Sequence, residues 1–275
     1  MIKTELDPYR IDELKPQLES FGYDFHYTPE TASTMILAEK YVRAGNEQNA
    51  IFLTDHQTKG IGREGRVWLD KKRASILVTG VFGIEDDSIR FFTDLIALHT
   101  NLILRREALI DNLYNKYPND LVIDDKKVGG MLMLNHYDGF QYKGTSVGIG
   151  INVHYGKEEL EGYPTDYGAT ALDLHSPKVN SRQKIVLSLF EKIRFLTTDA
   201  AVYENDGQNQ QNLNNLWRSV SSVLGRTVRI EVDGEALVEG RVMDTQIGEG
   251  ILVEGTFAAK WFNQFDTKMK VRLLN

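Results

Sequence analysis

A glycine-rich, basic stretch, Gln57-Thr58-Lys59-Gly60-Ile61-Gly62-Arg63-Glu64-Gly65-Arg66-Val67-Trp68, lies between two apolar runs and restricts the folds open to this chain. Gly60, Gly62 and Gly65 satisfy the spacing of a dinucleotide-binding turn, but such a turn must open a helix whose N-terminal amides face a pyrophosphate. Here strand-forming sequence follows instead, from Arg66 to Phe82. A P-loop is excluded too, because Arg66 and Val67 stand where a lysine and a hydroxyl residue would be needed. What remains is a flexible loop between strands that carries Lys59, Arg63 and Arg66, with Lys71, Lys72 and Arg73 just beyond. Glycines let backbone approach a ligand and arginines fork onto oxyanions, so the pattern points to an anionic partner. On composition alone a solvated hairpin loop accounts for it equally well, and Trp68 alone reads more readily as a core aromatic.

The 275 residues, 41% of them hydrophobic, suffice for one large domain or two unequal ones. With 39 acidic against 32 basic residues the formal charge is −7, which argues against a protein that coats nucleic acid. The absence of cysteine excludes disulfides, thiolate metal sites and thioester intermediates. Met1 to Arg10 mixes charges of both signs, and no apolar run reaches eighteen residues, so the expectation is a cytoplasmic protein with no membrane segment.

Periodicity suggests an α+β layer architecture. Asp12 to Ser20 is expected to be a helix, Tyr23 to Tyr27 extended, and Glu30 to Ser33 to cap a helix that Gly45 closes. Ala50 to Thr54 and Ser75 to Phe82 read as strands, with a one-faced helix through Phe92, Leu95, Ile96 and Ile103 behind Ser88, its later arginines solvated. Leu121 to Ile123 and Met131 to Leu134 flank the turn Asp124 to Lys127, and Thr145 to Val153 is another strand. Asn180 or Ser181 should cap a helix through Ile185, Leu189 and Ile193. Glu204 to Asn215, rich in Asn and Gln, is expected to be an extended or loosely helical connection. From Gly225 onward turn signals recur, at Asp233-Gly234 and Gly248-Glu249-Gly250, so a small antiparallel barrel is expected at the C-terminus.

A second cluster, Lys116-Tyr117-Pro118-Asn119-Asp120, precedes a strand, and Lys127-Val128-Gly129-Gly130 follows its turn. Singly, Asp120 reads as a turn residue and Lys127 as an exposed lysine. Together with Ser33-Thr34, the Gly60 to Trp68 loop and Gly148-Ile149-Gly150-Ile151-Asn152, the order and spacing resemble the biotin-protein ligase family. That family's patterns are Ser-Thr, Gly-Arg-Gly-Arg-x-Gly-Arg-x-Trp, Lys-Trp-Pro-Asn-Asp, Lys-x-x-Gly-Ile-Leu and Gly-Ile-Gly-Ile-Asn. The likeness covers about residues 22 to 275. Two departures stand out: Ile61 in place of the loop's first arginine, and Tyr117 in place of the proline motif's tryptophan.

The resemblance implies a mixed β-sheet catalytic domain flanked by helices, like that of class II aminoacyl-tRNA synthetases, over residues 1–222, and an SH3-like barrel over 223–275. It implies ATP-dependent activation of biotin to its adenylate, with Mg²⁺, followed by transfer to a lysine of a biotin carboxyl carrier protein of acetyl-CoA or pyruvate carboxylase. Lys127 would hold the biotin carboxylate and then the adenylate's phosphoryl linkage. Arg63 would close the loop over the anhydride, and Asp120, supported by Asn119, would steer the carrier amine. Ser33, Thr34, Met35, Gln57, Gly60, Ile61, Gly62, Trp68 and Gly130 are expected around biotin, with Arg66, Asn119 and Asn152 near the adenylate; no metal ligands can be assigned.

Acyl transfer through a cysteine is impossible here, and the lipoate ligases' Arg-Arg-x-Ser-Gly-Gly-Gly loop is absent. A lipoate-type acyl ligase of the same fold and a non-catalytic biotin-binding protein are the alternatives. With about twenty residues ahead of the catalytic region and an acidic balance, no DNA binding is expected. A homodimer is left open.

Overall fold

The computed structural model describes residues 8–84, 88–163, 165–179, 181–232, 234–256, 258–263 and 269–274, without the side chains of 197–205. Asn180 and Asp233, expected to serve as a cap and in a turn, lie outside the described residues. The centre is a seven-stranded mixed sheet in the order β1 (Asp24–Thr28), β2 (Ala50–Thr54), β5 (Ser75–Phe82), β9 (Gln141–Asn152), β8 (Lys126–Asp138), β7 (Asp120–Ile123), β6 (Leu113–Lys116). β1 and β2 are parallel and the other neighbours antiparallel.

Period-two alternation gives this sheet two different faces. Ile76, Val78 and Phe82 of β5 join Val147, Ile149 and Ile151 of β9 in the main core. That core is closed by α1 (Ile11–Ser20), α3 (Ile89–Ala108) and α4 (Arg182–Asn205). On the other face α2 (Thr34–Arg43) covers one end, packing Ala38 and Val42 on Ala50, Phe52 and Val81. The remainder of that face, with Gly148, Gly150 and Asn152 at alternate positions, is left uncovered by helices and floors a cavity.

Four expectations need correction. Ser88 precedes α3 but its side chain makes no capping bond, and α3 is buried nearly all round rather than along one stripe. Its far side meets the C-terminal sheet, where the Gly248 amide donates to Asp94 Oδ2 at 2.8 Å, and Arg105 is not solvated but donates from Nε to the Leu113 carbonyl at 2.8 Å. Residues 207–219 are not a loose connection but a regular helix, α5 (Gly207–Ser219). Asp206 caps it by accepting from the amides of Gln208 and Asn209, and the buried Trp217 anchors it by donating to Thr245 Oγ1 at 2.8 Å. Capping and one tertiary anchor outweigh the weak helix propensity of Asn.

The C-terminal segment forms a five-stranded antiparallel sheet, in the order β13 (Ala259–Phe262), β12 (Gly250–Glu254), β11 (Glu235–Gln246), β10 (Thr227–Val232), β14 (Met269–Leu273). Its last strand, β14, lies against the cavity: Lys116 Nζ donates to the Val271 carbonyl at 2.9 Å.

Candidate active site

The uncovered sheet face and the segments around it enclose a cavity of about 370 Å³. Every residue expected around biotin or the adenylate lines it except Gly60, whereas Lys59, Lys71, Lys72 and Arg73 of the basic stretch do not. Gly60 is buried beneath its own hairpin, where a Cβ would lie 2.3 Å from the Trp68 carbonyl oxygen, so it shapes the loop rather than the ligand space. The loop itself is ordered as a small hairpin, β3 (Gly60–Ile61) with β4 (Val67–Trp68), pairing Gly60 with Trp68 and Ile61 with Val67. Between these strands the chain turns through Arg63–Gly65, with Glu64 in the left-handed region at φ 56°.

The floor is set by glycines. A Cβ on Gly150 would lie 2.7 Å from the Trp68 indole, and one on Gly148 2.7 Å from Met35 Sδ. Only hydrogen at these two positions lets Trp68 and Met35 close on the sheet. Trp68 Nε1 and Asn152 Oδ1 are buried at this cavity with no hydrogen-bond partner among the described residues. Buried polar groups normally find partners, so each is an open position for a ligand.

At one end lies a neutral hydrogen-bonding pole. Ser33 caps α2, accepting from the Met35 amide, and Gln57 Oε1 accepts from the Thr34 amide at 2.8 Å and from Thr34 Oγ1 at 3.2 Å. Thr79 Oγ1 donates to Thr34 Oγ1 at 2.8 Å. Gln57 is fixed in turn through its amide, which donates to Asp70 Oδ1 at 3.1 Å, while Asp70 Oδ2 meets His56 Nδ1 at 2.8 Å.

The opposite pole is ionic. Asp120 pairs with Gly130 across β7 and β8, and Gly130 with Gly150 across β8 and β9, which puts Asp120 on the same sheet face as the floor. Pairing also sets Thr79 beside Gly148, three strands and two residues away from Asp120, so the two poles stand roughly 16 Å apart by strand spacing and rise. The two-residue turn Asp124-Asp125, both at positive φ, brings Lys127 back beside Asp120, with Nζ 2.5 Å from Oδ1. Lys127 Nζ also lies 5.7 Å from the Trp68 ring centre. Burial pushes the Asp120 carboxyl up, but the neighbouring Lys127 charge, hydrogen bonds from Lys127 and Tyr167, and Lys116 together hold it below the usual carboxylate value.

Arg63 joins this pole. Its NH1 donates to Asn119 Oδ1 at 3.0 Å, and Asn119 is itself pinned by exchanging two 2.9 Å bonds with the backbone of Met131. Burial lowers the Arg63 pKa, partly opposed by Glu64 and Asp120. Arg66 faces Asp166 at 3.6 Å and Ile61 is exposed at the rim.

Sequence reasoning missed a wall of this site. After β9 the chain returns along Lys127, whose amide donates to the Gly168 carbonyl at 3.0 Å, while its carbonyl accepts from Thr170 at 2.8 Å. This brings the Tyr167 hydroxyl to Asp120 Oδ2 as a donor and its ring within 4.3 Å of Lys116 Nζ. Burial and the Asp120 charge both push the Tyr167 phenol up, and burial lowers Lys116. From the C-terminal sheet, Lys270 reaches Glu64 at 3.1 Å and Arg272 reaches Asp166 at 3.3 Å. The aromatic and glycine-bearing run Tyr163 to Gly168 was the only local signal; the ion pairs across the chain had none.

Residues 27–152 match the sequence profile of the biotin/lipoate A/B protein ligase family. The bifunctional ligase/repressor BirA of Bacillus spizizenii is 23% identical over 178 residues, 63% of this chain and 54% of the relative. Biotin–protein ligase 1 of Arabidopsis thaliana, chloroplastic, is 28% identical over 155 residues, 52% of this chain and 39% of the relative. The chain thus matches about half the length, or less, of these curated relatives. The solved biotin protein ligase of Aquifex aeolicus superimposes with a TM-score of 0.72 at 20% identity, covering 91% of this chain and 99% of that one, which establishes a shared fold. The profile match contains the loop, the Asp120–Lys127 hairpin and the glycine floor, so residues 27–152 form a domain of the biotin/lipoate A/B protein ligase family.

Proposed function

We propose that the protein is an ATP-dependent biotin-protein ligase, and that the observation carrying this reading is one cavity with a neutral pole, an apolar middle under Trp68 and a cationic pole. Biotin has the same sequence of parts: a ureido ring, an apolar thiophane with its valeryl chain, and a carboxylate. Ser33, Thr34 and Gln57 offer donors and acceptors to the ureido group. Trp68, over Gly150, walls the apolar part. The carboxylate then falls to Lys127, leaving Arg66, Asn119 and Asn152 for the nucleotide. The Aquifex aeolicus protein of the same fold was solved with biotin and ATP.

In the first step a biotin carboxylate oxygen bonds to the α-phosphorus of ATP as pyrophosphate leaves with the broken P–O pair. Negative charge grows between the two anions, where the Lys127 ammonium stabilises it. Arg63, held by Asn119, closes over the anhydride and excludes water. In the second step a carrier lysine amine forms the amide and AMP departs. Asp120, kept ionised by its lowered pKa, attracts that ammonium and accepts its proton. Mg²⁺ would arrive with the nucleotide; among the described residues no three His, Cys, Asp or Glu side chains converge as a protein metal site.

Charge and composition favour a carrier protein over DNA as the macromolecular partner. Among the described residues no helix is long and apolar enough to cross a membrane. We place the reaction in the cytoplasm, with residues 223–275 as a separate small β-domain. Incubating the protein with biotin, Mg-ATP and a purified biotin carboxyl carrier domain is expected to give covalently biotinylated carrier with wild type and none with Lys127→Ala. An unlabelled carrier with wild type overturns the proposal.

A further inference from the structure

A second, smaller cavity of about 150 Å³ adjoins the first and shares with it Arg63, Pro118, Asn119, Met131 and Leu132. Three of its lining residues belong to neither ligand pole, Thr93 and Ala97 of α3 and Met133 of β8, and they meet where Thr93 Oγ1 donates to Met133 Sδ. The space exceeds the roughly 30 Å³ share of one water and falls below the ~300 Å³ at which drug-sized pockets begin, so it suits a single side chain. Its lining is mixed, apolar at Ala97 and Met133 and polar at Thr93, and its inner end, shared with the main cavity, is polar at Arg63 and Asn119. A cation already occupies that end: the Arg63 guanidinium donates to Asn119 Oδ1 at 3.0 Å. Asn119 is adjacent in sequence to Asp120, whose carboxylate heads β7.

On the ligase reading of the main cavity, we propose that this second cavity is the groove through which the carrier's lysine reaches the adenylate. A lysine matches it in both parts, a four-carbon apolar stem for the Thr93, Ala97 and Met133 walls and a compact ammonium for the inner end. The arriving cation takes the Asn119 Oδ1 bond from Arg63, so the guanidinium that seals the anhydride is displaced by the nucleophile meant to attack it. The ammonium passes one proton to Asp120, the resulting amine forms a C–N bond to the anhydride carbonyl carbon, and the nitrogen's second proton goes to the departing AMP phosphate. The carbonyl C–O bond breaks with its electron pair going to AMP.

The experiment narrows the groove from either wall and compares two nucleophiles. Ala97→Leu fills it from α3 and Met133→Phe fills it from β8; neither residue lines the main cavity. Each variant is assayed with a biotin carboxyl carrier domain and, separately, with hydroxylamine, a nucleophile too small to need the groove. Transfer to the carrier is expected to fall at least tenfold in each variant, while hydroxylamine-dependent pyrophosphate release stays within twofold of wild type. Should Ala97→Leu fail to fold, Met133→Phe decides alone, its hydroxylamine rate certifying an intact site. Carrier labelling within twofold of wild type, or falling in step with the hydroxylamine rate, overturns the groove. A wild-type protein that releases no pyrophosphate with biotin and ATP instead overturns the ligase reading itself.

Discussion

The two ends of the main cavity are built on opposite principles. At the Gln57 end the groups that face the cavity are neutral and are held by hydrogen bonds, Thr79 to Thr34, Thr34 to Gln57, and Gln57 to the Asp70 carboxylate, which does not line the cavity. At the Lys127 end charges are gathered in a buried site, Lys127, Asp120, Arg63 and Lys116 within one wall, and are balanced chiefly by one another. The first end is set before a ligand arrives and serves recognition. The second contains charge held out of water, which acts most strongly when new charge develops beside it. Losses at the neutral end should therefore weaken binding, and losses at the ionic end should weaken chemistry.

The largest effect is expected from Lys127→Ala, with kcat for adenylate formation falling about 10²- to 10³-fold in a pyrophosphate-release assay, as for loss of a preorganised electrostatic contact. Equal losses in kcat and in biotin affinity would blur the contrast between the ends. Between the poles, Gly150→Ala should raise the biotin KM by roughly 5- to 100-fold, because the added Cβ meets the Trp68 indole at 2.7 Å and must push the ring into the ligand space. Steady-state kinetics with quenched Trp fluorescence would report both changes.

A smaller shift belongs to the neutral end. Gln57→Leu removes the acceptor of two Thr34 bonds and is expected to raise the biotin KM about fivefold with kcat nearly unchanged, on the scale of one net hydrogen bond. If kcat fell instead, the neutral end would have a share in the chemistry. The smallest effect is on stability. With its pKa held below the ordinary carboxylate value, Asp120 supports folding above that value and loses this support as pH drops through its lowered pKa. In Lys127→Ala burial is left with less opposition, the pKa moves upward, and this pH-dependent support of folding shrinks. Carboxyl titration by NMR together with urea melts at pH 3 to 7 would detect this.

How far the sequence foretold this site follows from how local each part is. The neutral end and the Lys127 hairpin are made by contiguous motifs, Ser33-Thr34 on a cap and Lys127 returning after a two-residue turn, so pattern and turn chemistry reach them. The glycine floor had a local signal, since Gly148 and Gly150 alternate along one strand, but of that strand only Asn152 was expected in the site. Gly60 was misassigned because spacing cannot tell a glycine that faces a ligand from one pressed against its own hairpin. Tyr167 was invisible because its meeting with Asp120 depends on the return path of a long connection. The Glu64–Lys270 and Asp166–Arg272 pairs join residues far apart in the chain, which no local period encodes. In α5 the Asn/Gln composition misled because Asp206 and Trp217 decide that segment at its two ends.

Biotin activation at this site requires that one cavity join biotin to a nucleotide. Biotin-dependent exchange of labelled pyrophosphate into ATP measures this without any carrier. Exchange that requires biotin, is not supported by lipoate and disappears in Lys127→Ala is the predicted result. Exchange that is absent with biotin, or that lipoate supports equally, would contradict it.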